Sequence, residues 1–180
     1  MEIIKTEIEG LLIIKPKVFE DERGYFYESY NEQAYQENGI AMNFVQDNQS
    51  KSKRGVLRGL HFQNPPFAQG KLIRVLSGCV FDVAVDIRKD SETYGQWHSV
   101  ILSEDNKLQY WIPPGFAHGF LTLENDTILS YKCTELYNKG AEESIRWNDP
   151  DLKISWSYYD PILSDKDKDA TLFKDFVSLF

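Results

Sequence analysis

The 180-residue sequence predicts an all-β protein, a sandwich or barrel with a few short helices. Three observations lead there. From Val56 onward, short runs alternate apolar and polar residues with the two-residue period of strands. Turn signals separate those runs. Aromatic residues, which fit a pleated surface, make up 14% of the chain.

In chain order, YFYESY (residues 25–30) reads as a strand. A short helix follows, with Asn31 as its N-cap and Gly39 just past its end. Further strands are predicted over residues 71–76, 97–102, 109–112, 119–123 and 127–133. Ser77-Gly78, Glu104-Asp105-Asn106 and Asn125-Asp126 supply the turns. The clearest alternation is VFDVAVDIR, residues 80–88. Phe81, Val83, Val85 and Ile87 point one way, and Val80, Asp82, Ala84, Asp86 and Arg88 the other. SDKDKDATLFKDF, residues 164–176, begins as a charge run and ends in a helical turn. No linker and no repeat of fixed period interrupts the chain, so the expectation is one domain over residues 1–180.

Composition excludes several functions. A net charge of −8 argues against general nucleic-acid binding through phosphates. The local exception is SKSKRGVLRG, residues 50–59, where Lys51, Lys53, Arg54 and Arg58 stand without an acid. Such a patch suits one small anion such as a diphosphate, or is simply a solvated loop. No apolar run approaches the roughly 18 residues of a membrane span. The N-terminal MEIIKTEIEG carries charges where a signal peptide needs an apolar core, so a cytoplasmic protein without membrane contact is expected. Cys79 and Cys133 lie in strand-like runs without a CxxC pair and read as buried, reduced thiols.

The chemistry concentrates in RGLHFQNPPFAQGKL, residues 58–72. A lone histidine on a strand is ordinarily structural, but the neighbours of His61 favour another role. Strict alternation puts Gly59, His61 and Gln63 on one face and Arg58 on the other, unless Gly59 marks a bulge that re-aims the arginine. Lys71 opens the next strand, and a hairpin would bring its ammonium beside the imidazole. An imidazole, with a free pKa of about 6.5, accepts a proton near neutral pH. A cation beside it stabilises an oxyanion. Base plus cation suits proton abstraction next to a carbonyl, because the enolate oxygen needs an electrostatic partner. Tyr131, in ILSYKC, is a candidate acid to return the proton, although a tyrosine in a strand is ordinarily packing.

Metal binding is the competing reading. IPPGFAHGF, residues 112–120, resembles half of the cupin metal motif, the PxGxxH pattern ending at His118. The other half needs an HxH pair followed by a glutamate. Here the matching place reads His61-Phe62-Gln63 with no acid close behind, and His98 lacks partners. No metal is expected.

Together these stretches resemble the dTDP-4-dehydrorhamnose 3,5-epimerase family, metal-free enzymes of the cupin superfamily. The resemblance is carried by KPKVFEDERGYFYESY, FVQDNQSKSKRGVLRGLHFQ, PPFAQGKLIRV, VFDVAVDIRKDSETYGQW, WIPPGFAHGF, YKCTELY, WNDPDL and LSDKD, in order from about residue 13 to 167. It implies a jelly-roll barrel, no cofactor, and a homodimer that exchanges N-terminal strands. It also implies a dTDP-linked 4-keto-6-deoxy sugar as substrate. His61 would remove protons at C5 and C3, Asp167 would pair with His61, Lys71 would hold the enolate oxygen, and Tyr131 would reprotonate the opposite face. Asp82 is the reserve partner for His61. Tyr137 and Phe19, the latter from the neighbouring subunit, would sandwich the thymine. Glu28, Gln46 and Asn48 would contact the base or nearby groups, Arg23 and Arg58 the diphosphate, and His118 the sugar. Relatives with the same base and acid also include enzymes that epimerise one carbon.

Overall fold

The alternating runs fold into antiparallel ladders that cross repeatedly between two sheets. A computed structural model describes residues 1–180. Its strands are β1 (Glu2–Lys5), β2 (Leu12–Lys15), β3 (Phe19–Asp21), β4 (Gly24–Phe26), β5 (Gln46–Ser52), β6 (Leu57–Gln63), β7 (Lys71–Ser77), β8 (Cys79–Asp86), β9 (Trp97–Ser103), β10 (Gln109–Ile112), β11 (Phe116–Thr122), β12 (Thr127–Cys133) and β13 (Glu142–Ser144). Helices α1 (Glu32–Glu37) and α2 (Asp165–Lys168) and a 3-10 turn (Phe173–Asp175) complete the elements.

One sheet has the order β1-β2-β10-β7-β12-β5 and the other β13-β6-β11-β8-β9. From β5 to β13 only β8 and β9 are consecutive strands of one sheet; every other step changes sheet. The result is a jelly-roll barrel, so residues of β6, β7, β11 and β12 come from alternate walls. The hairpin β3–β4 stands apart from both sheets.

The barrel interior holds Ile73, Val75, Val80, Ala84, Val100, Leu102, Tyr110, Phe120 and Leu129, all buried. Val83, Val85 and Ile87 belong instead to a cluster with Leu60, Phe62, Ala117, Ile145, Leu152 and Phe176, where the C-terminal segment roofs the second sheet. The alternation in residues 80–88 therefore separates two buried faces rather than a core from water. Burying each such aliphatic side chain contributes about 1.5–3 kcal/mol, so both layers matter to the same strand. Asp82 points into the barrel with no exposure.

Helix α1 forms as expected: the Asn31 side chain accepts from the Ala34 N–H at 3.2 Å, and Gly39 follows with φ +90. Tyr35 anchors it by donating to Gln109 Oε1 at 3.0 Å. One expectation needs correction. Of the 25–30 run only Tyr25 and Phe26 lie in a strand, the last two residues of β4. The Ser29 carbonyl is engaged by the Gln109 side chain at 2.8 Å, and the Tyr30 ring packs 5.1 Å from Tyr35 and 5.3 Å from Phe44, so side-chain contacts replace the ladder. The charge run ends in a helical turn as expected, a 3-10 turn over Phe173–Asp175, and a short α-helix capped by Ser164 forms at its beginning as well.

Candidate active site

Gly59 decides where the functional side chains point. His118 pairs with His61 and Phe120 with Arg58, so β6 spends one more residue than β11 over the same span. This is a β-bulge. Gly59 has φ +129, and a Cβ there would fall 2.5 Å from the Gly119 Cα, so only glycine fits. The bulge places Arg58 and His61 on the same cavity, the alternative to strict alternation.

That cavity, of about 430 Å³, is lined by Arg58 and His61 of β6, Lys71 of β7, His118 of β11, Tyr131 of β12, and Ser164 and Asp167 from the C-terminal segment. A second lobe, lined by Gln46, Asn48, Tyr137 and Glu142, shares Gln49, His61, Lys71 and Tyr131 with the first. The imidazole, ammonium and phenol thus stand where the two lobes meet.

His61 Nε2 lies 2.5 Å from Asp167 Oδ1. Burial pushes the Asp167 carboxyl up, but hydrogen bonds from His61 and Ser164 together with the electrostatic pull of His61 and Lys166 hold the group below its ordinary value. With Nε2–H given to the carboxylate, Nδ1 is the ring nitrogen left to accept a proton. Asp82, the reserve partner, is engaged elsewhere: His118 Nε2 lies 3.0 Å from Asp82 Oδ1 and 3.1 Å from Oδ2. Burial lowers the His118 pKa and raises that of Asp82.

Two cations line the cavity without a salt bridge. Lys71 Nζ has only the His61 carbonyl, at 3.5 Å, and burial lowers its pKa against the opposing pull of Cys133, Asp82 and Glu142. Arg58 Nε donates to Ser52 Oγ at 3.3 Å. Cations without carboxylate partners in a partly desolvated wall favour an anionic ligand. The Tyr131 pKa is raised, chiefly by burial and then by the Cys133 thiol, so its phenol keeps its proton at neutral pH.

In the second lobe, Gln46 Oε1 accepts from the Tyr137 N–H at 2.9 Å, and Gln46 Nε2 donates to Asn48 at 3.0 Å. Glu142 was not anticipated. Its carboxylate accepts from Tyr137 Oη at 2.9 Å and pairs with Lys166 Nζ at 2.5 Å. Only the pairing of β13 with β6 brings it there, and no local pattern in the sequence marks it. Ser164 was likewise missed, although Ser164-Asp165-Lys166-Asp167 has the spacing of an N-cap.

Phe19, Arg23 and Glu28 are not brought to the cavity of their own chain. Phe19 is 53% exposed on the β3–β4 hairpin beside exposed Tyr25 and Phe26. Arg23 pairs with Asp21 at 2.5 Å, and Glu28 accepts from Asn31 at 3.2 Å. No group of three or more His, Cys, Asp or Glu side chains is arranged to hold a metal ion. His98 Nδ1 is hydrogen-bonded with Tyr110 Oη at 3.0 Å, and Ala84 stands between His98 and His118 in the register of the sheet. Cys79 is half-buried and Cys133 buried, both as free thiols.

Fold and site together define a cupin-type jelly roll whose cavity carries acid–base groups and unpaired cations. The chain belongs to the dTDP-4-dehydrorhamnose 3,5-epimerase family, whose model matches residues 5–175. It is 56% identical over 174 residues to dTDP-4-dehydrorhamnose 3,5-epimerase of Salmonella typhimurium, covering 96% of this chain and 95% of the relative. The enzyme of that name from Methanothermobacter thermautotrophicus is 55% identical over 168 residues, with 92% and 90% covered. A crystal structure of dTDP-6-deoxy-D-glucose-3,5-epimerase from Legionella pneumophila, in complex with dTDP-4-keto-L-rhamnose, is similar at TM-score 0.94 and 52% identity, covering 98% of this chain and 94% of that one.

Proposed function

We propose that this chain is an isomerase that inverts C3 and C5 of dTDP-4-dehydro-6-deoxy-D-glucose, giving dTDP-4-dehydro-L-rhamnose. Both carbons flank the C4 carbonyl, so loss of a proton at either gives an enolate whose charge rests on the C4 oxygen. His61 takes the proton through Nδ1 while Asp167 stabilises the imidazolium that results. Lys71 stabilises the enolate oxygen, and Tyr131 delivers a proton to the opposite face. The two transfers balance, and no electrons are exchanged with a cofactor. The reading is supported above all by His61, Lys71 and Tyr131 lining one cavity.

In this reading Arg58 and Arg23 grip the diphosphate, His118 borders the sugar, and Gln46, Asn48 and Glu28 contact the thymine or nearby groups. Tyr137 stacks on one face of the base and Phe19 of a second copy on the other. A homodimer with exchanged N-terminal strands makes use of the hairpin whose aromatic side chains are exposed in one chain. The unit is a single domain over residues 1–180 working in the cytoplasm; no helix is long and apolar enough to cross a membrane.

The test is incubation of the protein with dTDP-4-dehydro-6-deoxy-D-glucose in deuterated water, followed by NMR. Deuterium at both C3 and C5 is expected. Exchange at one carbon alone would make the protein a mono-epimerase, and tight binding without exchange would make it a binding barrel.

A further inference from the structure

We propose that Ser164 is a positioning residue for catalysis: its hydroxyl locks the Asp167 carboxylate and, through it, the tautomer and orientation of His61. The inference rests on the reading of His61 as the base. Asp167 uses both oxygens, Oδ1 towards His61 Nε2 at 2.5 Å and Oδ2 as acceptor from Ser164 Oγ at 2.8 Å. Ser164 Oγ also accepts from the Asp167 N–H at 3.2 Å. With one lone pair taken by that N–H, the single hydroxyl proton is directed at the carboxylate.

The rest of the segment explains why this hydroxyl matters. Helix α2 has four residues, too short to hold its own shape. The Asp167 side chain is only 3% exposed, so solvent is not available to replace a lost donor. The chain just before Ser164 is fastened to the start of β6 by Leu57 N–H to the Ile162 carbonyl at 3.0 Å and by Ile162 N–H to the Gly55 carbonyl at 2.8 Å. His61 lies on that same β6. Backbone hydrogen bonds therefore set the height of Asp167 over the imidazole, and the Ser164 hydroxyl sets the rotation of its carboxylate. Ser164 lines the cavity too, but its hydroxyl proton is spent on Asp167, and its effect on the imidazole passes through that carboxylate.

The test compares full-length Ser164→Ala, Ser164→Asp, Ser164→Thr and His61→Ala by steady-state kinetics, pH profile and thermal melting. Removing a hydrogen bond to a charged, buried group predicts a fall in kcat on the order of tenfold for Ser164→Ala, with KM within about twofold. Loss of the donor raises the carboxyl pKa, so the acid limb of the kcat profile moves to higher pH. Ser164→Thr, which keeps the hydroxyl, restores kcat. Ser164→Asp keeps a capping acceptor but offers no donor at neutral pH, and is expected to fall at least as far as alanine. Full activity in Ser164→Asp would reduce the residue to a helix cap and overturn the proposal, as would an unchanged kcat and profile in Ser164→Ala. Retained turnover in His61→Ala would instead overturn the underlying assignment of the base, whatever the serine variants do.

Discussion

Two histidines on neighbouring strands line the cavity, each paired with a carboxylate, and the two pairs differ in almost everything but composition. His61 and His118 are direct cross-strand partners. His61 is 29% exposed at its side chain, and its carboxylate, Asp167, is held below its ordinary pKa against burial by the hydrogen bonds of His61 and Ser164 and the electrostatic pull of His61 and Lys166. His118 is 7% exposed and Asp82 not at all, and there burial wins, lowering the histidine and raising the acid. Desolvation disfavours charge on both members of the inner pair. The outer pair keeps a charged carboxylate beside an accessible ring, which is the arrangement a proton acceptor needs. Both histidines line the cavity, so what separates the two pairs is the balance of favourable partners against burial, and only the outer one is suited to accept a proton.

The strongest way to break this comparison is to delete the two rings separately. His61→Ala is expected to abolish exchange at C3 and C5, by about a thousandfold or more, while dTDP binding measured by calorimetry largely survives. Tyr131→Phe is expected next in effect: net epimerisation falls further than deuterium exchange, since abstraction proceeds without the opposite-face acid. Equal loss of both would assign the tyrosine another role. His118→Ala is expected to act mainly on stability, by about 1–3 kcal/mol in denaturant unfolding, because it leaves the buried Asp82 carboxyl without its hydrogen-bond partner. Loss of activity in a fully stable His118→Ala would put the inner pair in the mechanism.

The acid side of the stability profile sharpens the same contrast. A carboxyl whose folded pKa is depressed contributes stability above its unfolded value, near 3.9, and that contribution disappears as pH falls through the folded value. A carboxyl whose folded pKa is raised does the reverse, weakening the fold as pH climbs from about 3.9 to the folded value. Asp167→Asn is therefore expected to flatten the rise of melting temperature with pH on the acid side, and Asp82→Asn to steepen it. The same slope change in both variants would contradict the difference in burial. The smallest expected effect is none: chelators leave turnover unchanged, because His61 and His118 are each committed to a separate carboxylate. Inhibition reversed by added metal would refute this.

Several local features were legible because they depend only on neighbours in the chain. The strands over 109–112 and 127–133 match β10 and β12, and Asn31 and Gly39 bracket α1. The run at 25–30 misled because its alternation is cut by contacts from Gln109, Tyr35 and Phe44, which no local rule supplies. Among the site residues, those in dense motifs, Arg58, His61 and Lys71, could be singled out together from the sequence. Glu142 could not, because its place follows from an edge-strand pairing.

By itself the sequence determined the all-β class, the short capped helix, the incomplete metal motif and, through its extended motifs, the family. Those rest on periodicity, capping chemistry and residue identity, which are properties of short segments. The resemblance named Asp167 as the partner of His61 with Asp82 in reserve; the tertiary structure decided between them and gave Asp82 to His118. Asp167 is 106 residues from His61 along the chain, Asp82 far closer, and both are acids of the same kind. The bulge at Gly59, the crossing of strands between sheets and the fastening of the C-terminal segment to β6 made the choice. The physical reason is that pairing and desolvation depend on distance in space, which alternation along a strand leaves unspecified.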